Sequence, residues 1–213
     1  MGWYDYFNTA LKIQNGTKIE AYHKSKLVPG VEQMPYPYLF KWIEAFSIDM
    51  GGITGSLGTQ KDRSVFFSKD KIGAAPVICY ESIFGEFVGE YIKNGADFIF
   101  IITNDGWWGN TPGHRQHLEY ARLRAIETRR SIARAANTGI SGFIDQKGQM
   151  IVQNKYWIED AINRKIKSNK ALTFYVIYGD YLGRIAFGIS IVLILGAVIL
   201  GIFKKLNAGS KLS

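Results

Sequence analysis

The only cysteine of the 213-residue chain lies in residues 76–84, which read PVICYESIF. Cys79 follows an apolar run of strand length, and the carboxylate of Glu81 comes two residues later. A thiol at the end of a strand is exposed beside backbone N–H groups that can bind a developing oxyanion. Nearby cations favour its nucleophilic thiolate form. Free cysteine is also among the most buried residue types, so Cys79 alone favours an inert core residue over a catalytic one.

Two further segments carry residue types that catalysis uses. The segment YHKSKLVPGVE holds Lys24 and Glu32, and the segment TNDGWWG holds Asp105, Trp107 and Trp108. Aromatic rings between glycines suit a mobile lid that touches lipid, although a turn with two partly buried tryptophans fits equally well. Without further context, Lys24 is expected to be a solvated surface lysine.

These segments, followed by RQHLEYARLRAIETRRSIARAANTGISGFID, resemble the nitrilase (carbon–nitrogen hydrolase) superfamily. The similarity is greatest to its membrane-bound branch, the apolipoprotein N-acyltransferases, and it runs from about residue 7 to the C-terminus. The resemblance implies an α/β fold, here a partial nitrilase-like α/β/β/α sandwich followed by a C-terminal transmembrane helix. It also implies acyl transfer through a cysteine thioester, without a metal or an organic cofactor.

The family works with a Glu–Lys–Cys triad, and the motifs assign two of its members. Cys79 matches the nucleophile, and Lys24 matches the lysine whose ammonium stabilises the tetrahedral intermediate. Glu81 and Glu32 match glutamates near the site, where a carboxylate could hold Lys24 in place. The backbone N–H of Tyr80 is expected in the oxyanion hole.

Other polar residues of these segments receive weaker assignments. Asp105 matches an acidic position of the family and is assigned, together with Trp107 and Trp108, to the expected substrate loop. His114 and His117 lie three residues apart but lack a third ligand, so they predict a structural role at a helix start rather than a metal site. Most of the arginines from Arg115 to Arg134 are expected on a solvated helix face.

The third member of the triad has no counterpart in the sequence. The family's general base is a glutamate upstream of the lysine, and the acidic residues before Lys24 are Asp5 and Glu20, neither of which stands in that motif. We therefore expect the C-terminal part of a longer or split protein, or a truncated product, which lacks an N-terminal half. Alone, it should retain the nucleophile but little turnover.

Hydrophobic periodicity predicts the elements that must position these residues. A hairpin is expected around Asn15 and Gly16, with strands on either side. The other predicted elements are strands at 74–80, 98–103, 141–144 and 150–153, a last strand within 171–184, short helices at 41–46 and 87–94, and one long helix at 114–137. Alternating strands and helices indicate an α/β domain.

The C-terminal region has a different composition. Residues 185–203 are uncharged and apolar, and Arg184, Lys204 and Lys205 bracket them, which predicts a transmembrane helix at 184–205. Residues 1–183 would form the nitrilase-like domain, and residues 206–213 a cytoplasmic tail by the positive-inside rule. The expected location is the inner membrane of a bacterium, with the large domain on the periplasmic side.

The resemblance predicts transfer of a fatty acyl chain from a phospholipid donor to the N-terminal diacylglyceryl-cysteine of an apolipoprotein acceptor. Two alternatives remain open at this point: a membrane-tethered amidase with the same nucleophile, and a catalytically inactive membrane-anchored partner. The net charge of +8 fits an anionic membrane surface. No nucleic-acid-binding motif accompanies that charge, so a nucleic-acid partner is not expected.

Overall fold

The computed structural model of the chain describes residues 6–14, 18–33 and 57–209, with side chains described as far as residue 202. Contacts divide the chain into two units, Met1–Ile177 and Tyr178–Ser213. The predicted turn at Asn15 and Gly16, the predicted helix at 41–46 and the end of the predicted tail lie outside the described residues.

The first unit is built on a mixed six-stranded sheet and a separate hairpin. Its order is β3-β4-β5-β6-β7-β8, in which β4, β5 and β6 are parallel and the other neighbours are antiparallel. The hairpin pairs β1 with β2. The strands are β1 (Thr9–Lys12), β2 (Glu20–His23), β3 (Phe66–Phe67), β4 (Gly73–Ile78), β5 (Phe98–Thr103), β6 (Ser131–Ala136), β7 (Gly142–Ile144) and β8 (Met150–Gln153).

Most of the helical residues in the core of this unit come from α1 (Gly85–Lys93) and α2 (Pro112–Thr128). Along β5, Ile99 and Ile101 are buried in this core, whereas Phe98, Phe100 and Ile102 alternate with them and remain partly exposed. The strand therefore buries one face and presents an apolar opposite face. The remaining core residues include Val77, Phe87, Val88, Tyr91, Ile92, Leu118, Ala121, Ala125, Ile132 and Ile144.

Most of the predicted elements are confirmed. The hairpin strands, β4, β5, β7 and β8 lie where the apolar runs placed them, and β5 has the predicted bounds. The helix predicted at 87–94 is α1, and Gly95, at φ 96°, adopts the left-handed conformation that commonly ends a helix. The predicted α/β fold is thus present as one sheet with its helices.

The single long helix predicted at 114–137 is wrong in its second half. Helix α2 ends at Thr128, because Arg129 adopts a left-handed conformation at φ 52°. Arg130 is buried and donates to the carbonyl of Ala96, and the chain then continues as β6. The segment Ser131–Ala136 is rich in alanine, which favours helix locally, but parallel pairing with β5 places it in the sheet.

The last strand predicted within 171–184 is also wrong, because this region forms two helices, α3 (Phe174–Tyr178) and α4 (Tyr181–Gly209). The Thr173 hydroxyl accepts a hydrogen bond from the Val176 N–H at 3.1 Å, which caps the first of them. The Asp180 carboxylate accepts from the Gly183 N–H at 3.0 Å at the start of the second. Side-chain capping therefore prevails over the strand preference of the aromatic and β-branched residues.

The second unit contains the only helix, among the described residues, that is long and apolar enough to cross a membrane. The apolar stretch is Tyr181–Ile202, with 22 residues and a mean hydropathy of 2.8. At about 1.5 Å per residue, it matches the thickness of a hydrocarbon layer. A membrane span is therefore consistent with both the length and the composition of α4.

Two glycines of the first unit should respond in opposite ways to alanine. A Cβ atom at Gly73 would overlap the backbone carbonyl of Gly95, whereas a Cβ atom at Gly89, inside α1, would meet nothing within 4 Å. We expect Gly73→Ala to destabilise the fold by about 1–3 kcal/mol. Gly89→Ala should stabilise it by about 0.5–1 kcal/mol. Thermal unfolding of the detergent-solubilised chain measures both, and equal effects of the two substitutions would contradict the expectation.

Candidate active site

Cys79 lies at the point where the chain leaves the sheet. It begins a 3-10 turn, Cys79–Ile83, which directly follows β4 and is called the Cys79 turn below. Its φ of 49° is in the left-handed region, which a residue with a side chain adopts only when its surroundings enforce it. Cys79 is half-buried and lines a cavity of about 250 Å³. The structure therefore favours an accessible thiol over a core residue.

Lys24 lines the same cavity, directly after β2. Its side chain is 1% exposed, and its Nζ donates to Oε2 of Glu32 at 2.6 Å. Glu32 also accepts from the side chain of Asn8 at 3.0 Å and from the backbone N–H of Val28 at 2.9 Å. A buried ammonium requires such a partner, and three donors hold the carboxylate in place. Glu32 is thus the carboxylate that positions Lys24.

Glu81 has a different role, because it accepts its hydrogen bonds from groups other than the Lys24 ammonium. It is 0% exposed and accepts from the Tyr22 hydroxyl at 2.6 Å, the Ser25 N–H at 2.6 Å and the Ile78 N–H at 2.8 Å. Burial raises the pKa of Glu81, and the hydrogen bonds it accepts oppose that rise. Two of these partners flank Lys24 in the chain and the third precedes Cys79. Glu81 therefore ties the lysine segment to the Cys79 turn.

Tyr80 and the two tryptophans lie around these groups. The ring of Tyr80 packs edge-on against Phe84, with centroids 5.2 Å apart. Trp107 and Trp108 belong to a 3-10 turn, Gly106–Trp108, and are 51% and 39% exposed. Trp107 lines the cavity, and Trp108 packs edge-on against the ring of His117, with centroids 5.4 Å apart. Of the two tryptophans, Trp107 is therefore the one that lines the cavity.

Asp105 lies beneath the tryptophan-bearing turn and is 0% exposed. Its Oδ1 is 2.9 Å from Nδ1 of His117 and accepts from the Thr103 hydroxyl at 3.0 Å. Its Oδ2 accepts from Nη2 of Arg134 at 2.6 Å. Burial acts to raise the pKa of Asp105, but the bonds from His117 and Arg134 outweigh it and lower that pKa to about 2. The sequence placed Asp105 with the substrate loop, whereas the structure gives it a buried, supporting position.

The sequence prediction missed several buried polar residues. Most of the arginines of residues 115–134 were expected on a solvated face, but Arg124, Arg130 and Arg134 are each 3% exposed or less. Ser82 received no role, although its hydroxyl lies 2.9 Å from Nε2 of His117. Among the described residues, no group of three or more His, Cys, Asp or Glu residues could hold a metal ion. His117 contacts the side chains of Ser82 and Asp105 and the backbone carbonyl of Cys79.

The low pKa of Asp105 predicts a pH dependence of stability. Because the folded-state value of about 2 lies below the ordinary value of 3.8, ionised Asp105 stabilises the fold above about pH 4. This contribution, about 2 kcal/mol, should be lost as the pH falls from about 4 to about 2. Denaturant unfolding at several pH values, with Asp105→Asn as the comparison, measures it. A variant with the same acid sensitivity as the parent chain would contradict the assignment.

Of the acidic residues that precede Lys24, the described part of the chain places none in the cavity. Glu20, one of the two acids that precede Lys24, is exposed and bonds to Lys12 at 2.5 Å. Asp5, the other, lies outside the described residues. Among the described residues that line the cavity, Glu32 carries the only carboxylate.

The family model of the carbon–nitrogen hydrolases matches residues 3–172, which include the whole cavity. The chain belongs to the carbon–nitrogen hydrolase family. Two solved structures show the same fold. They are Nit3 of Saccharomyces cerevisiae, a member of branch 10 of the nitrilase superfamily, and a glutamine-dependent NAD+ synthetase from Acinetobacter baumannii. The TM-scores are 0.52 and 0.55 at 17% and 13% identity, over 72% of this chain in both cases and over 51% and 27% of the other chains.

Within the carbon–nitrogen hydrolase family, the chain is similar to curated proteins named apolipoprotein N-acyltransferase. It is 36% identical to that of Chlorobaculum tepidum, over 86% of this chain and 35% of the relative. It is 34% identical to that of Thermotoga maritima, over 82% of this chain and 34% of the relative. The chain thus spans about a third of the length of these relatives. The predicted resemblance is confirmed for this part of the sequence.

Proposed function

We propose that this carbon–nitrogen hydrolase chain takes part in the N-acylation of lipoproteins, with Cys79 as the acyl carrier. The observation that carries the proposal is the shared cavity, which is lined by a half-buried thiol and by a lysine that is 1% exposed. A buried ammonium favours a thiolate and stabilises an oxyanion more strongly than a solvated one does. The similarity to apolipoprotein N-acyltransferases supports a phospholipid donor and a lipoprotein acceptor.

The reaction has two steps that use the thiol in turn. In the first, the Cys79 thiolate attacks the ester carbonyl of a phospholipid, a C–S bond forms, and the C–O bond to glycerol breaks. The leaving alkoxide takes a proton and departs as a lysophospholipid. In the second, the α-amino group of the N-terminal diacylglyceryl-cysteine attacks the thioester, a C–N bond forms, the nitrogen loses a proton to the base, and the C–S bond breaks to release the Cys79 thiolate. Lys24 and the N–H of Tyr80 stabilise the oxyanion in both steps.

Both steps need a base for proton transfer, and we propose that a further polypeptide segment supplies it. The carboxylate of Glu32 is already engaged by Lys24, Asn8 and Val28. The outer face of β5 also presents apolar side chains, with Phe100 42% exposed. Such a face favours a covering layer. A segment that packs there, on the same chain or on a separate one, would complete the sandwich and carry the missing glutamate.

The membrane assignment completes the proposal. Helix α4 would span the inner membrane of a bacterium, residues 206–213 would lie in the cytoplasm, and residues 1–183 would face the periplasm. The exposed rings of Trp107 and Trp108 would then form a lid that contacts lipid. A domain on this side of the membrane could take its acyl group from the phospholipids of the bilayer surface.

Intact-mass analysis tests the acyl carrier. The chain is reconstituted with a phospholipid of defined acyl length, alone and together with a co-expressed segment that carries the N-terminal portion of a relative. We expect an acyl adduct on Cys79 that hydroxylamine removes and that Cys79→Ser lacks, in higher yield with the added segment. Release of ammonia from a small amide, without any adduct from phospholipid, would favour an amidase instead. Absence of both activities would favour an inactive membrane-anchored partner.

A further inference from the structure

A chain of buried polar groups connects the Cys79 turn with Asp105. The Ser82 hydroxyl donates to the carbonyl oxygen of Cys79 at 2.8 Å and lies 2.9 Å from Nε2 of His117. The same Nε2 atom is 3.2 Å from the Cys79 carbonyl oxygen. Ser82 is 0% exposed and His117 is 4% exposed. Two buried side chains therefore converge on the backbone carbonyl of the nucleophile.

Asp105 fixes the orientation of this histidine ring. Nδ1 of His117 is 2.9 Å from Oδ1 of Asp105, and an ionised carboxylate only accepts, so Nδ1 carries the hydrogen of that bond. The other carboxylate oxygen of Asp105 accepts from Arg134, whose Nη2 also lies 3.3 Å from Nδ1. Because Nδ1 is engaged by Asp105, Nε2 is directed at Ser82 and at the Cys79 carbonyl.

The order of these groups matches a Ser–His–Asp triad, but Ser82 cannot act as a nucleophile here. Its side chain is fully buried, and it is not among the residues that line the cavity. The residue that does reach the cavity is Cys79, whose backbone has a φ of 49°. Such a conformation is sparsely populated by residues with a side chain and persists only where surrounding contacts enforce it. The hydrogen bond that the Ser82 hydroxyl donates to the Cys79 carbonyl is a contact of this kind, and Nε2 of His117 packs against both groups.

We propose that Asp105, His117 and Ser82 form a positioning relay, which holds the carbonyl of Cys79 and thereby directs its thiol into the cavity beside Lys24. None of the three touches substrate, since each acts through the backbone of Cys79. The inference rests on the proposed function only where it names Cys79 as the acyl carrier. Its test therefore uses a reaction of the thiol that requires no acyl transfer.

Alkylation by iodoacetamide provides that reaction, because Cys79 is the only cysteine of the chain. The thiolate displaces iodide, a C–S bond forms, and intact mass measures the rate on the full chain in detergent near neutral pH. Ser82→Ala removes one hydroxyl and should lower the rate about tenfold, since small displacements of a reacting group cost about ten- to a hundredfold. Ser131→Ala is the matched control. Its hydroxyl is also buried and donates to a backbone carbonyl, that of Lys167, at 2.8 Å, and its loss should leave the rate unchanged.

A double-mutant cycle separates positioning from general destabilisation. If the relay acts by presenting the thiol to the ammonium, Ser82→Ala should cause no further loss in a Lys24→Met background. Loss of equal size in both backgrounds would overturn the proposal, and so would a wild-type rate in Ser82→Ala alone. If Ser82→Ala does not fold, the test passes to two variants of the histidine. His117→Gln, whose amide reaches the Nε2 position, should retain more of the rate than His117→Asn, and equal rates would overturn the relay.

Failure of the relay and failure of the proposed function give different results. If phospholipid yields no adduct on Cys79 but Ser82→Ala slows alkylation as expected, the relay stands and the acyl-transfer proposal fails. If the adduct forms but Ser82→Ala and Ser131→Ala alkylate equally fast, the acyl-transfer proposal stands and the relay fails.

Discussion

Replacing Lys24 by methionine should lower the rate of thioester formation on Cys79 by about a hundredfold or more, because removal of one preorganised oxyanion donor costs about 10²–10³ in rate. Methionine keeps most of the apolar stem but removes the ammonium. Among the described residues that line the cavity, Lys24 carries the only ammonium, so no neighbour there can replace its charge. The loss should fall on the chemical step rather than on phospholipid binding, since the oxyanion exists only in the transition state.

Lys26→Met is the matched control for this substitution. Lys26 lies two residues further along the chain and is exposed, with its Nζ 5.4 Å from the centroid of the Phe84 ring. Its replacement removes the same charge from the same segment without touching the cavity. Single-turnover adduct formation, followed by intact mass at saturating phospholipid, compares the two variants. Equal rates for Lys24→Met and Lys26→Met would show that the ammonium in the cavity has no part in the chemistry.

Much of this arrangement can be predicted from the sequence, because its determinants are local. The apolar runs that form β4 and β5 are bounded by polar residues, and Gly95 ends α1. Cys79 and Lys24 are found at strand ends, where the motifs indicated them. In such segments, periodicity, glycine and the strand-to-turn transition point to the same structure.

The remaining features depend on partners that are distant in the chain. Strand β6 has a helix-like composition, and parallel pairing with β5 overrides it. Arg134 reads as a surface charge until the ion pair with Asp105, 29 residues earlier, accounts for its burial. Ser82 is one hydroxyl among many, and only the folded chain brings it to His117, 35 residues later. Periodicity carries no information on such pairings, so Ser82 and the buried arginines were missed.

The two halves of the candidate site are also joined by a long-range contact. Glu81 accepts hydrogen bonds from Tyr22 and Ser25, which flank Lys24, and from Ile78, which precedes Cys79. The position of the ammonium relative to the thiol therefore depends on this one buried carboxyl group. Any change that breaks the connection should affect stability and thioester formation together.

Glu81→Gln is such a change, although it alters only a few atoms. A glutamine amide has one acceptor and one donor, and both carboxylate oxygens of Glu81 accept from a backbone N–H, that of Ser25 at 2.6 Å and that of Ile78 at 2.8 Å. Whichever way the amide is turned, its NH₂ group faces a backbone donor. An unsatisfied buried group costs about 1–3 kcal/mol, and we expect a destabilisation of this size. Thioester formation should fall by about a hundredfold, because the lysine and the cysteine are no longer held in register.

Tyr22→Phe provides the comparison, since it removes a single donor to Glu81 and leaves both backbone donors satisfied. Its cost should be about 1 kcal/mol, with only a modest loss of rate. Denaturant unfolding and single-turnover adduct formation measure both variants. If Glu81→Gln were as stable and as fast as Tyr22→Phe, the two backbone bonds could not be what joins the lysine segment to the Cys79 turn. If Glu81→Gln is far slower than Tyr22→Phe, as expected, the buried carboxylate of Glu81 sets the position of the Lys24 ammonium relative to the Cys79 thiol.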